Sequence, residues 1–102
     1  MNEEQLLKSG ERINQLFSTD IKIIQNREVF SYSVDSVLLS RFPRFPKNGL
    51  IVDFCAGNGA VGLFASSRTK AKILSVEIQE RLADMADRSV RLNGLEEQMQ
   101  VI

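Results

Sequence analysis

The second half of the chain alternates short apolar runs with amphipathic stretches. Leu50-Ile51-Val52-Asp53-Phe54 is apolar without strict alternation, the pattern of a strand covered on both faces in a parallel sheet. Ala60 to Ser67, rich in small residues, predicts a helix, and Lys70 to Glu77 predicts a second strand. Gln79 to Asn93 reads as a second helix, and Gln98 to Ile102 begins a third strand. In the second helix Leu82, Met85, Ala86, Ser89 and Val90 share a buried face. The i,i+4 pairs Asp84–Arg88 and Asp87–Arg91 fall on the other face, and Asn93-Gly94 is a C-terminal stop signal. With right-handed crossovers, β-α-β-α-β is one mononucleotide-binding half of a doubly wound α/β sheet.

The first half is patterned differently. Leu6, Leu7, Ile13, Leu16 and Phe17 fit a helix over Gln5 to Phe17, interrupted near Ser9-Gly10. Asp20 to Ile24 reads as a strand, Gln25 to Glu28 as a turn and Val29 to Tyr32 as a returning strand, together a hairpin. Ser33 can cap a helix over Val34 to Arg41, with Asp35 in its first turn, where a carboxylate suits the helix dipole. Pro43 and Pro46 end that helix. The linker through Gly49 divides an extension (1–48: helix, hairpin, helix) from a partial Rossmann-like unit (49–102).

Bulk composition narrows the chemistry. The chain has 102 residues, 43% of them hydrophobic, enough for one small core. Thirteen basic and thirteen acidic residues cancel, so net charge does not announce a nucleic-acid partner. With no His, a Ser-His-Asp triad, a Cys-His pair and any His-bearing metal site are excluded within these residues, and no metal is expected. Cys55 is the single cysteine and suits a reducing compartment. The acidic amino terminus lacks a signal-peptide core and no run reaches the ~20 apolar residues of a membrane span, so the expected location is cytoplasmic. The basic stretches Arg68 to Lys72 and Arg41 to Lys47 read as solvated surface ahead of an RNA track.

A parallel sheet places its ligand at the carboxyl ends of its strands, here Asp53 to Gly59 and Glu77 to Gln79. Gly57-Asn58-Gly59-Ala60-Val61-Gly62 matches G-x-G-x-x-G, and Glu77, 20 positions after Gly57, can accept the hydroxyls of an adenosine ribose. Asp53 separates the possible ligands. A carboxylate at the mouth of the loop repels a pyrophosphate by roughly 1 to 4 kcal/mol at ~4 Å. It attracts the sulfonium and ammonium of S-adenosylmethionine. Phe54-Cys55-Ala56 also stand between strand and first glycine, where a dinucleotide fingerprint has none. The G-x-G-x-x-G match is therefore read as incidental, with Gly62 packing its helix onto the sheet. Cys55 reads as a packing residue in preference to a nucleophile. For Asp35, a helix-start charge and a ligand-facing role stand level.

Asp53-Phe54-Cys55-Ala56-Gly57-Asn58-Gly59 resembles the first motif of class I S-adenosylmethionine-dependent methyltransferases, and Val76-Glu77-Ile78 the second. More narrowly, "ERINQL", "IKIIQ", "FSYSVDSVLLSRF", "DFCAGNG" and "VEIQERLADMADRSVRLN", in this order, resemble the amino-terminal part of the bacterial tRNA(Val) adenine-N6 methyltransferase family. The resemblance implies S-adenosyl-L-methionine as cofactor and tRNA or another RNA as partner. Gly57 and Gly59, with Cys55, Ala56 and Asn58, would form the floor under the cofactor. Asp53 would bind its amino-acid end, Glu77 its ribose and Ile78 its adenine, while Ser33 and Asp35 would cover the methionine end. Cys55 stands where many such enzymes have a further glycine.

The family's Asn-Pro-Pro-Tyr-like motif, which orients the exocyclic amine, is absent from these residues, so no catalytic residue is assigned. The expectation is an amino-terminal fragment, inactive alone and prone to self-association through an open sheet edge. Two other readings are a fragment of an NAD-dependent oxidoreductase and a stand-alone nucleoside-binding module.

Overall fold

A computed structural model describes residues 3–15, 20–26 and 47–102. A short helix α1 (Glu3–Leu6) leads into strands β1 (Glu11–Gln15) and β2 (Lys22–Asn26). Strand β3 (Leu50–Phe54), helix α2 (Ala60–Ser66), strand β4 (Lys72–Val76), helix α3 (Glu80–Leu92) and strand β5 (Met99–Val101) follow. β3, β4 and β5 form a parallel sheet in that order, with Asp53 opposite Ser75 and Ser75 opposite Val101. β1 and β2 form a separate antiparallel pair, with Ile13 opposite Ile24. The predicted β-α-β-α-β order is present, each element within a few residues of its expected bounds.

The helix expected over Gln5 to Phe17 is corrected, because Glu11–Gln15 is a strand. A turn intervenes: the Glu11 N–H donates to the Lys8 carbonyl at 3.1 Å, and the Lys8 N–H to Glu11 Oε1 at 2.7 Å. The chain then pairs with β2 across five residues. Long-range ladder bonds override the local helical spacing, which is a weak preference by comparison. Gln25 and Asn26, expected in a turn, belong to the buried end of β2. The strand Val29 to Tyr32 and the helix Val34 to Arg41 lie outside the described residues.

Both crossover helices pack on one face of the parallel sheet. Ala60, Leu63, Phe64 and Ala65 of α2, Val90 of α3, Ile73, Met99 and Ile23 form the main core, with Ile51 against it. A smaller core joins Leu6, Ile24, Leu82 and Met85. Adjacent residues Ile23 and Ile24 thus enter different cores, as strand alternation requires. Two-sided coverage of β3 is the second correction: Leu50, Val52 and Phe54 are 59%, 39% and 75% exposed. Successive right-handed crossovers to neighbouring strands in one direction deliver both helices to the same side. Among the described residues the other face is open.

Helix α3 buries the predicted face, and one residue more. Arg88, placed by its spacing on the solvated side, is 4% exposed. Its guanidinium donates to both oxygens of Glu11, to Asp84 Oδ2 at 3.0 Å and to the Leu6 carbonyl at 2.8 Å. The i,i+4 pair with Asp84 forms, but the amino-terminal segment folds over it. Asp87–Arg91 stays exposed at 3.5 Å. The helix ends in a Schellman motif: the Leu95 N–H reaches the Val90 carbonyl at 3.0 Å and the Gly94 N–H the Arg91 carbonyl at 3.1 Å.

Candidate functional site

The loop between β3 and α2 changes backbone hand at every second residue. Cys55, Gly57 and Gly59 have φ of 61°, 60° and 89°. Gly59 caps α2, and a Cβ there would lie 3.1 Å from Ala86 Cβ, so both conformation and space call for glycine. A Cβ on Gly62 would stand 2.8 Å from Met99 Cε and 3.1 Å from Ser75 Oγ, which accords with its expected role in seating the helix on the sheet.

The loop's amides are largely spent within the protein. The Ala56 N–H donates to the Val76 carbonyl at 2.9 Å, the Gly59 N–H to the Ala56 carbonyl at 3.0 Å and the Gly57 N–H to Glu77 Oε1 at 2.7 Å. Glu77 Oε2 accepts the Gln79 N–H at 2.9 Å. Fold topology thus brings Gly57 and Glu77, the pair singled out by their spacing, into direct contact. The acidic residue closes the end of β4 against the glycine loop and keeps lone pairs on both oxygens for further donors.

Asp53, half-buried at the end of β3, adds a second acceptor. Its Oδ2 is buried and has no hydrogen-bond partner among the described residues. Burial, followed by the negative charge of Glu77, pushes its carboxyl above the usual range. Ser75, its register neighbour on β4, has a buried Oγ that also lacks a partner among the described residues. The mouth therefore offers acceptors and negative charge, an environment that favours a cation or a polyol over a phosphate.

Ile78 is 93% exposed at the carboxyl end of β4, and Phe54 stands exposed at that of β3. The sequence does not single out Phe54 as a site residue; its exposure follows from the open sheet face and leaves no mark in an apolar run. Cys55 is exposed in the loop, whereas Ala56 and Asn58 are buried. The Asn58 side chain, fully buried, turns from the mouth toward β2, donating from Nδ2 to the Ile24 carbonyl at 3.4 Å, while its Oδ1 has no partner among the described residues. Ser33 and Asp35 lie outside the described residues. Among the described residues no group of acidic and sulfur side chains could hold a metal ion, and no helix is long and apolar enough to cross a membrane.

A cleft of about 520 Å³ lies at the opposite end of α2, lined by Lys47, Arg68 and Lys70 with Ser66, Ser67 and Thr69. Those cations face the carboxyl end of the helix, whose dipole they complement.

No protein-family model matches the chain, and no curated protein matches it in sequence. Solved structures do. The chain is similar to Pyrococcus horikoshii TYW2 in complex with MeSAdo (TM-score 0.74, 19% identity, 93% of this chain and 36% of that chain). It is similar to the tRNA (uracil-54, C5)-methyltransferase of Pyrococcus abyssi in complex with S-adenosyl-L-homocysteine (0.68, 17%, 94% and 24%). It is also similar to Methanocaldococcus jannaschii Trm5 in complex with adenosine (0.68, 16%, 94% and 30%). At these identities the likeness shows the fold, an α/β Rossmann-like arrangement shared with methyltransferase structures. The chain spans between 24% and 36% of the length of these three.

Proposed function

We propose that the chain is the cofactor-binding, amino-terminal portion of an S-adenosylmethionine-dependent methyltransferase acting on RNA, with an adenine N6 of tRNA as its target. The observation that carries the cofactor reading is the bond from the Gly57 N–H to Glu77. An amide that would cradle a phosphate already holds the protein's own carboxylate, and Asp53 stands near it with an oxygen unpaired among the described residues. A dinucleotide pyrophosphate would displace Glu77 and meet both negative charges. A ligand that is cationic at one end and a ribose in the middle meets acceptors at each point.

The residues fit that cofactor. Gly57 and Gly59, with Cys55, Ala56 and the backbone of Asn58 in the same loop, form its floor; Asp53 takes the ammonium, Glu77 the ribose hydroxyls, and Ile78 lies against the adenine. For Ser33 and Asp35, outside the described residues, the sequence resemblance implies a place over the methionine end. When bound, the cofactor supplies an electrophilic methyl group on its sulfonium. This chain's part is orientation: two carboxylates and the loop hold one reactant in a fixed pose, from which in-line attack by a positioned base amine gains most of its advantage. The tRNA and adenine-N6 reading rests on the sequence resemblance of Glu11 to Ile102. The solved relatives include a tRNA methyltransferase of different target, which supports RNA as the substrate class.

Isothermal titration of this chain with S-adenosylhomocysteine and with NAD tests the cofactor. Binding of the first alone is expected; tight binding of NAD alone would overturn the reading. The base is tested by nucleoside mass spectrometry of tRNA from a strain lacking the gene, where loss of one N6-methyladenosine is expected.

A further inference from the structure

The antiparallel pair β1–β2 has one edge facing the rest of the protein, and side chains satisfy that edge. Lys22 and Ile24 turn their backbone groups away from β1. The amide of Asn93 takes both groups of Lys22: the Lys22 N–H donates to Oδ1 at 2.7 Å, and Nδ2 donates to the Lys22 carbonyl at 2.6 Å. The Ile24 N–H donates to Ser89 Oγ at 2.8 Å, and the Ile24 carbonyl accepts Asn58 Nδ2 at 3.4 Å. Three of these four bonds come from the last turn of α3 and the Asn93 that caps it. The fourth comes from the middle of the glycine loop, between Gly57 and Gly59, two of its three residues with positive φ.

Asn58 therefore faces away from the mouth that its neighbours Gly57 and Gly59 line. It is fully buried, and among the described residues its Oδ1 has no partner and its Nδ2 bonds to β2. We propose that Asn58 is a positioning residue: through its bond to Ile24, the docked β1–β2 unit sets the conformation in which the glycine loop receives its ligand. The bond is long, so a small shift of either element tightens or breaks it. Coupling is reciprocal by linkage: a ligand that orders the loop strengthens the hold on β2, and an undocked β2 weakens the ligand. The ligand half of this inference rests on the cofactor reading above.

Hydrogen exchange on the whole chain tests the coupling without any ligand. In Asn58→Ala, amides of β2 should exchange at least about fivefold faster relative to those of β4. In Ser89→Ala, which loosens β2 from the α3 side and leaves the loop sequence intact, the amides of Gly57 and Gly59 should accelerate likewise. If Ser89→Ala opens β2 and leaves those two amides unchanged, the coupling is refuted, even where Asn58→Ala does not fold. With S-adenosylhomocysteine, binding to Asn58→Ala should weaken about tenfold. At saturation the ligand should protect the loop in both proteins but β2 only in the unmodified chain. Equal protection of β2 in both would also refute the proposal. Should the unmodified chain bind no S-adenosylhomocysteine, the cofactor reading fails, and the ligand-free exchange of Ser89→Ala still decides the coupling.

Discussion

Cys55 keeps its backbone at φ 61°, where a side chain crowds the following carbonyl at a cost of about 1 to 2 kcal/mol. Replacement by glycine removes that crowding but adds freedom to the unfolded chain worth about 0.5 to 1 kcal/mol. Cys55→Gly should therefore stabilise the chain by about 0.5 to 1 kcal/mol, read as a raised urea midpoint at unchanged slope. Asp53 is a second residue held at a cost. Its folded carboxyl titrates above the value of 3.8 it has when unfolded, so stability falls as pH rises from 3.8 through the folded value. Asp53→Asn should raise the thermal midpoint of the free chain at neutral pH, reduce that pH dependence and abolish S-adenosylhomocysteine binding. A midpoint that stays put would mean that the carboxylate is not strained in the ligand-free loop.

At the scale of elements, the seat of α2 on the sheet depends on Gly62. Met99 and Ile73, which a Cβ would meet, are both 1% exposed and cannot move into solvent. Gly62→Val should destabilise by about 1 to 3 kcal/mol in urea unfolding, as expected of an overpacked core. The parallel unit was legible because its signals are local: an unbroken apolar run, a 3.6-residue stripe and a stop at Asn93-Gly94. Its Schellman bonds follow directly from that dipeptide. The strand Glu11–Gln15 was not legible, because Ile13 fits a helical stripe as well as a strand, and the deciding partner is β2. The same limit applies to Asn58, whose place in a glycine motif says nothing of which way its amide points.

Across the whole molecule, the amino-terminal segment is fastened by an ion pair whose side chains are both at most 5% exposed. Arg88 bonds Glu11 through two nitrogens and holds the Leu6 carbonyl, while Asp84 links the group to Lys8 at 2.8 Å. Burial alone would push the Glu11 carboxyl up, but the hydrogen bonds from Arg88 and the Lys8 N–H prevail and hold it below 4.5. The unfolded chain therefore binds the Glu11 proton more readily, and this contribution to stability, complete above 4.5, is lost as pH falls through the folded value. Glu11→Gln leaves the guanidinium buried without its main counter-charge and should cost about 3 to 5 kcal/mol in chemical unfolding at neutral pH. Its acid-side loss of stability should also be shallower than that of the unmodified chain.

The sequence by itself determined the parallel β-α-β-α-β unit, the position of the loop at its carboxyl edge, and the spacing that puts Gly57 and Glu77 at the carboxyl ends of successive strands. Each follows from periodicity or from the short reach of adjacent elements. Only the tertiary structure decided that Arg88 is buried, that Leu50, Val52 and Phe54 face outward, and that Asn58 reaches for β2. These depend on which distant segment arrives at a given face. A residue's own pattern records that it can be buried or exposed, while the partner that settles the matter lies elsewhere in the chain: 77 residues away for Arg88 and 34 for Asn58.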